Sequence, residues 1–210
     1  MSGRFPRLVH CGKVSAIFVW GRAVDEGAPT PYDDGVLKLV ADLYRQTGAP
    51  VIIPGYCGVD VGQGGTGYPG PQVWRGVLKV LGVPGDQVIS GSGCGHNTKT
   101  EMDDFLDLAM TKRWRTILAV TQVHNALRAM LGAVKSMANQ HISRLMVVPM
   151  WPVAFDWGRE CYGSQGEGPF PRTRWVDEEF DRIVRYQAKG DLASLTDLYA
   201  YLMWLYRELQ

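Results

Sequence analysis

Short apolar runs alternate with longer segments of helical period through most of this 210-residue chain. Residues 14–20 form an almost unbroken apolar run that ends at Gly21, as expected for a strand covered on both faces. Further strands are predicted at residues 51–53, 88–89, 116–120 and 144–149. Parallel neighbours require a crossover connection, so this alternation predicts a parallel sheet. We therefore predict an α/β fold: a three-layer, Rossmann-like domain with a mainly parallel sheet, helices on both faces and a C-terminal helical extension.

The length fits a single domain, residues 1–210, with three parts. The alternating core covers about residues 14–150. Residues 151–174 are rich in proline, glycine and aromatics and are predicted to be irregular, and residues 175–209 are predicted to form C-terminal helices. The last helix carries an amphipathic stripe, which predicts packing on the domain, with a homodimer interface as the alternative. Its members are Leu195, Leu198, Leu202 and Leu205.

Composition excludes several classes of partner. The formal net charge is +1 with acids and bases interspersed, which argues against binding nucleic acid or an anionic membrane. The apolar run near the start is too short to span a membrane, and no small-residue cleavage site follows it. The four cysteines are far apart and form no C-x-x-C pair, which favours reduced thiols. We predict a cytoplasmic protein that binds a small molecule.

Polar residues follow several of the predicted strands. In parallel α/β sheets, ligands bind outside the carboxyl ends of the strands, near the switch in strand order. Helix starts at Thr98 and near His124 would direct free N–H groups there, which favours phosphate or carboxylate, and Arg22 and Arg128 would add charge-assisted contacts. The alternatives are that Asn97 and Thr98 only cap a helix and that Arg128 faces solvent. The predicted ligand-binding residues are Gly21, Arg22, Gly55, Gln72, Asn97, Thr98, Thr121, Gln122, Asn125 and Arg128.

His124 and His96 are the predicted catalytic residues, because imidazole titrates near neutral pH and serves as a general acid or base. With Cys57 and Cys94 they are also conceivable zinc ligands, although Cys94-Gly95-His96 is not a structural-zinc spacing, and no metal residue is predicted. Residues 62–67 match G-x-G-x-x-G, but about eight loop residues separate this motif from the preceding strand. A lid or an ordinary loop is therefore favoured over a dinucleotide motif.

The order of these features resembles the YdcF-like proteins, a bacterial family that includes SanA- and ElyC-type envelope proteins. The resemblance covers about residues 14–150, and its most specific parts are Asn97-Thr98 and the block from Val120-Thr121 to Arg128. The remaining matching segments are Ala16 to Gly21, Leu43-Tyr44, Pro54-Gly55, Gly82-Val83-Pro84 and Ile89.

The chain departs from the family pattern at four positions. Ser15 replaces the usual aspartate, and Gln72 is nearest to the usual glutamate. The family histidine aligns with Asn125, one place after His124, and the arginine before Leu43 is absent. If that glutamate and histidine do acid–base work in relatives, these departures argue against the same roles in this chain.

The resemblance implies a Rossmann-like fold and a pocket for a nucleotide or an adenosine-type ligand such as S-adenosylmethionine. Three hypotheses follow. The first is a small-molecule enzyme, a hydrolase or transferase, that acts on a nucleotide-like or phosphorylated ligand. The second is a non-catalytic sensor of an adenosine-type ligand, which the missing glutamate favours. The third is a metal-dependent enzyme with Cys and His ligands.

Overall fold

A five-stranded parallel sheet forms the centre of the molecule. The computed structural model describes residues 14–21, 35–55, 68–91, 98–152, 157–158, 160–161 and 170–210. All neighbouring strands pair in parallel, in the order β3-β2-β1-β4-β5. The strands are β1 (Ala16–Val19), β2 (Val51–Ile53), β3 (Val88–Ser90), β4 (Thr116–Val120) and β5 (Met146–Met150).

Helices cover both faces of this sheet. The helices are α1 (Gly35–Thr47), α2 (Pro71–Val80), α3 (Thr98–Thr111), α4 (Ala126–Asn139), α5 (Arg172–Ala188) and α6 (Leu195–Glu208). Ile17 and Val19 of β1 pack with α1 and α2, whereas Phe18 packs with α3 and α4 on the other face. Strands between two helical layers need apolar residues at successive positions, and this requirement explains the unbroken apolar runs. The predicted three-layer Rossmann-like fold is confirmed.

The C-terminal helix α6 covers an edge of the sheet. Its Leu205 packs into the core on the α1 side, and its Leu198 packs into the core on the α4 side. Between them, the hydroxyl of Tyr201 accepts the N–H of Val147 on edge strand β5 at 2.6 Å and donates to the carbonyl of Leu145 at 3.1 Å. Burial raises the pKa of Tyr201, which keeps this hydroxyl protonated. The contact satisfies backbone groups that an open edge strand would leave unpaired.

In the C-terminal part of the chain, two predicted details differ from the structure. Within residues 151–174, Glu160–Cys161 pairs antiparallel with Phe170–Pro171, so the segment is not wholly irregular. Helix α5 begins at Arg172 rather than near residue 175, because Pro171 ends the extended backbone and supplies a compatible φ of −54° just before the helix. In the described part of the chain, no helix is long and apolar enough to cross a bilayer.

Candidate functional site

The strand order changes direction between β1 and β4. From β1 the chain moves outward to β2 and β3 on one side, then returns to β4 and β5 on the other. The crossovers on the two sides leave a crevice at the carboxyl ends of β1 and β4, which is where open α/β sheets bind ligands. Trp20 N–H donates to the carbonyl of Val120 at 3.2 Å, so pairing continues past the end of β1. Gly21 and Thr121 therefore lie at the same place on the sheet's rim.

Four predicted site residues follow β4 directly. Thr121 is 1% exposed, and its hydroxyl accepts a hydrogen bond from Nδ2 of Asn125 at 3.2 Å. Gln122 is buried, and its carbonyl accepts the N–H of Asn125 at 3.1 Å. This bond closes a short 3₁₀ turn, Val123–Asn125, which carries the half-buried His124 and leads into α4. The turn thus places a hydroxyl, two amides and an imidazole beside the crevice.

The buried polar atoms without a hydrogen-bond partner among the described residues include Nε1 of Trp20, a donor, and Oδ1 of Asn125, an acceptor. Trp20 lies at the end of β1 on the sheet face that packs with α4, and Asn125 immediately precedes α4. Unsatisfied buried donors and acceptors are costly in a folded protein, and each calls for an explanation.

Glu101 on α3 binds the backbone at the end of β1. The residue is 6% exposed, and its Oε2 accepts the N–H of Gly21 at 2.8 Å. The sequence analysis did not identify Glu101. The signal available was its position four residues before buried Phe105, on the apolar face of α3. A carboxylate on the buried stripe of a helix indicates a specific partner, because burial of an unpaired charge is unfavourable.

Arg128 is buried in an ion-pair network. Its Nε and Nη2 both donate to the Glu179 carboxylate, and its Nη1 donates to the Thr98 hydroxyl at 2.7 Å. Arg182 donates to the same carboxylate at 2.9 Å. Arg128 and Glu179 have only 7% and 6% of their side chains exposed, so the alternative that Arg128 faces solvent is wrong. The network ties the start of α3 to α4 and α5. Contact between Arg128 and an anionic ligand stays a prediction.

Glu179 was also missed in the sequence. It lies 51 residues from Arg128 in the sequence. Its helix carries many charged residues, including the adjacent Glu178, so composition alone does not single out Glu179. Its register was the available signal: Glu179 falls four residues after buried Trp175 and four before buried Ile183. An acid in the core-facing stripe of a helix predicts a buried basic partner, although the sequence does not say which one.

At the carboxyl ends of β2 and β3, the backbones of Gly55 and Gly91 are in contact. A Cβ on Gly55 would lie 1.7 Å from the Gly91 carbonyl oxygen, so packing alone explains this glycine. Beside it is a cavity of about 20 Å³ lined by residues that include Phe18, Glu101 and Asp104, enough for about one water. Partial burial, and then the charges of the neighbouring aspartates, raise the pKa of Asp104. Ligand binding by Gly55 stays a prediction.

No contact among the described residues places the remaining predicted residues at the crevice. Gln72 is exposed in the first turn of α2. Arg22, His96, Asn97, Cys57, Cys94 and the motif at residues 62–67 lie outside the described residues. Within the described ranges, no group of three or more His, Cys, Asp or Glu side chains is placed to hold a metal ion.

Comparison with protein-family models gives no match, and comparison with curated proteins gives no significant similarity. The resemblance to the YdcF-like proteins therefore stays a prediction.

Proposed function

We propose that this protein is a small-molecule enzyme that binds a nucleotide-like ligand in the crevice between the carboxyl ends of β1 and β4. The observation that carries the proposal is the convergence of polar groups at the switch in strand order: Thr121, Gln122 and Asn125 follow β4, and Glu101 binds the end of β1. Sheets of this order offer their ligand site at this point. The membership of the YdcF-like family and the cytoplasmic location are part of the same proposal.

The groups beside the crevice suit recognition of a nucleoside by hydrogen bonds. Trp20 Nε1 offers a donor and Asn125 Oδ1 an acceptor, and both lack a partner on the described chain. A heteroaromatic base presents an acceptor and a donor side by side, which matches these two groups in kind. His124 is the proposed general acid or base, because its imidazole is half-buried on the turn that carries Asn125. The reaction is the transfer or hydrolysis of a group attached to that ligand.

A second candidate is a sensor that binds an adenosine-type ligand, such as S-adenosylmethionine, without chemistry. The pairing of Arg128 favours this candidate over an enzyme for phosphorylated ligands. Glu179 already holds the Arg128 guanidinium and also binds Arg182, and Glu101 adds a negative charge near the end of β1. A phosphate would have to compete with Glu179 for Arg128, so this pairing favours a ligand without a phosphate. The metal-dependent alternative would use Cys57, Cys94, His96 and His124 and stays a prediction.

A ligand screen tests both candidates. The thermal stability of the purified protein would be measured with nucleosides, nucleotides, S-adenosylmethionine and sugar phosphates. A ligand present at 100 times its dissociation constant adds about 2.7 kcal/mol to the free energy of unfolding. Stabilisation by an adenosine-containing compound, weakened in Asn125→Ala, supports the site. If every class leaves the unfolding temperature unchanged, the proposal is wrong.

Substitution of His124 then separates the enzyme from the sensor. His124→Ala is compared with His141→Asn, which alters an exposed histidine in the turn that follows α4, after its C-terminal end. Loss of turnover in His124→Ala with unchanged affinity, and normal turnover in His141→Asn, supports the enzyme. Tight binding without conversion of the bound ligand by the wild-type protein supports the sensor. A homodimer through the C-terminal helix is a separate proposal and does not depend on the ligand.

A further inference from the structure

Helix α6 is far more apolar than its packing in one chain requires. From Leu198 to Tyr206 it has nine consecutive residues without a charge. Only Leu198 and Leu205 of the helix are buried, and Tyr201 is half-buried against the edge of the sheet. A helix that is apolar on all sides is normally buried on all sides. The outward side of α6 therefore exposes apolar surface that packs against none of the residues that the structure describes.

This exposed surface forms a continuous row, here named the α6 stripe. Its residues are Leu195, Tyr199, Leu202, Met203 and Tyr206, which are 60%, 66%, 39%, 42% and 60% exposed. Four of them follow the 4-3-4 spacing of a helix–helix seam, in which successive apolar residues meet the same partner helix. The stripe predicted from the sequence is divided by the structure: Leu198 and Leu205 face the core, whereas Leu195 and Leu202 face outward.

We propose that the α6 stripe binds the same stripe of a second copy of this chain. The stripe has no charge of its own, so two copies can meet across a two-fold axis without like-charge repulsion or burial of an unpaired charge. Two stripes together would bury on the order of 1,000 Å², the lower limit for a specific interface. Over this area, alternating leucine, methionine and tyrosine side chains interdigitate as in other helix pairs.

The charges on α6 argue against a membrane surface as the occupant. The helix carries two acids, Asp197 and Glu208, and one base, Arg207. Helices that lie on anionic membranes are rich in Lys and Arg on their polar face. We therefore expect the partner to be apolar and uncharged where it meets the α6 stripe, and the same stripe of a second copy has both properties. This inference is independent of the ligand and of any chemistry in the crevice.

The test is the molar mass of the purified full chain, measured by light scattering after gel filtration and by analytical ultracentrifugation over a concentration series. The wild-type chain is expected to have twice the mass of the 23.3 kDa chain at tens of micromolar. The double variant Leu202→Lys with Tyr206→Lys, which places charges in the stripe, is expected to be monomeric. Ala200→Lys changes an exposed position of α6 outside the stripe and is expected to remain dimeric.

Two further variants test the proposal independently of the double variant. Tyr199→Lys alone should raise the dimer dissociation constant at least tenfold, so the proposal can be tested even if the double variant does not fold. Phe180→Lys with Val184→Lys charges an exposed apolar pair on α5 and should leave the dimer intact. A monomeric wild-type chain at 100 µM, a dimer that survives charges in the stripe, or a dimer lost only through α5 would overturn the proposal.

Discussion

The rim of the sheet is built in two ways. At the carboxyl ends of β1 and β4, buried polar side chains make the contacts: Glu101 binds the Gly21 backbone, and the Thr121 hydroxyl binds the Asn125 side chain. At the carboxyl ends of β2 and β3, the backbones of Gly55 and Gly91 touch directly. The first arrangement needs side chains of particular chemistry, and the second needs only the absence of one. A polar residue at a strand end is therefore stronger evidence for a site here than a glycine at a strand end.

The largest expected effect comes from breaking the ion-pair network beside β4. Glu179→Gln leaves the buried guanidiniums of Arg128 and Arg182 without their shared carboxylate, and loss of one partner of a buried pair costs about 3 to 5 kcal/mol. Urea unfolding measures the free energy. Glu178→Gln alters the neighbouring, half-buried acid and should change stability by less than about 0.5 kcal/mol. Equal effects of the two substitutions would show that the network does not support this part of the rim.

The next effect tests the glycine contact between β2 and β3. Gly55→Ala places a methyl group 1.7 Å from the Gly91 carbonyl oxygen, so the two backbones must separate. We expect a loss of about 3 kcal/mol, as for other overpacked sites. Gly91→Ala is the matched control: its nearest contact would be 3.6 Å, and its cost should stay below about 1 kcal/mol. A tolerated Gly55→Ala would remove the packing explanation and favour a role of Gly55 in binding.

These two substitutions also mark what the sequence could and could not predict. Residues 116–120 and 51–53 were predicted as strands with the bounds of β4 and β2, because each is a short run of mainly apolar, β-branched residues followed by polar residues or by Pro-Gly. The parallel sheet followed from the alternation of elements. The pairing of Arg128 with Glu179 did not follow, because it joins α4 to α5 across 51 residues, and local composition carries no information about such a partner.

The candidate site was likewise predicted only in part. Thr121, Gln122 and Asn125 follow β4 in the chain, so the strand prediction placed them at the rim. Glu101 reaches the rim from α3, 80 residues away from Gly21, and only the packing of α3 on the sheet brings the two together. Sequence reasoning therefore found groups next to a strand end or a helix start, and missed Glu101, which the interior of a packed helix supplies.

A smaller effect tests the hydroxyl beside the crevice. Thr121→Val keeps the shape of the side chain but removes the acceptor for Asn125 Nδ2, which leaves a second atom of this buried amide without a partner. The expected loss is about 1 to 3 kcal/mol in the free energy of unfolding. Thr111→Val removes a hydroxyl that binds the Asp107 carbonyl at the exposed end of α3 and should cost less than about 0.5 kcal/mol. A harmless Thr121→Val would indicate that Asn125 finds another partner, and the comparison of the two parts of the rim would weaken.

The smallest expected effect comes from substitution of Asp104, which lines the cavity beside Gly55 and Gly91. Its pKa is raised by partial burial first and by Asp107 and Asp103 second, so the folded state binds a proton at Asp104 more tightly than the unfolded state does. Above the folded pKa the ionised carboxylate lowers stability, and this cost disappears as the pH falls through the folded pKa towards 3.8, the ordinary value. Asp104→Asn should therefore raise the unfolding temperature slightly at neutral pH, and the gain should shrink in acid. Added salt should also reduce the gain, because it screens the repulsion from the neighbouring aspartates.

Asp181→Asn, at an exposed position of α5, is the control and should show no such dependence on pH. If Asp104→Asn is instead destabilising at neutral pH, the carboxylate makes a favourable contact there. The β2 and β3 side of the rim would then also be stabilised by a polar side chain, as the β1 and β4 side is.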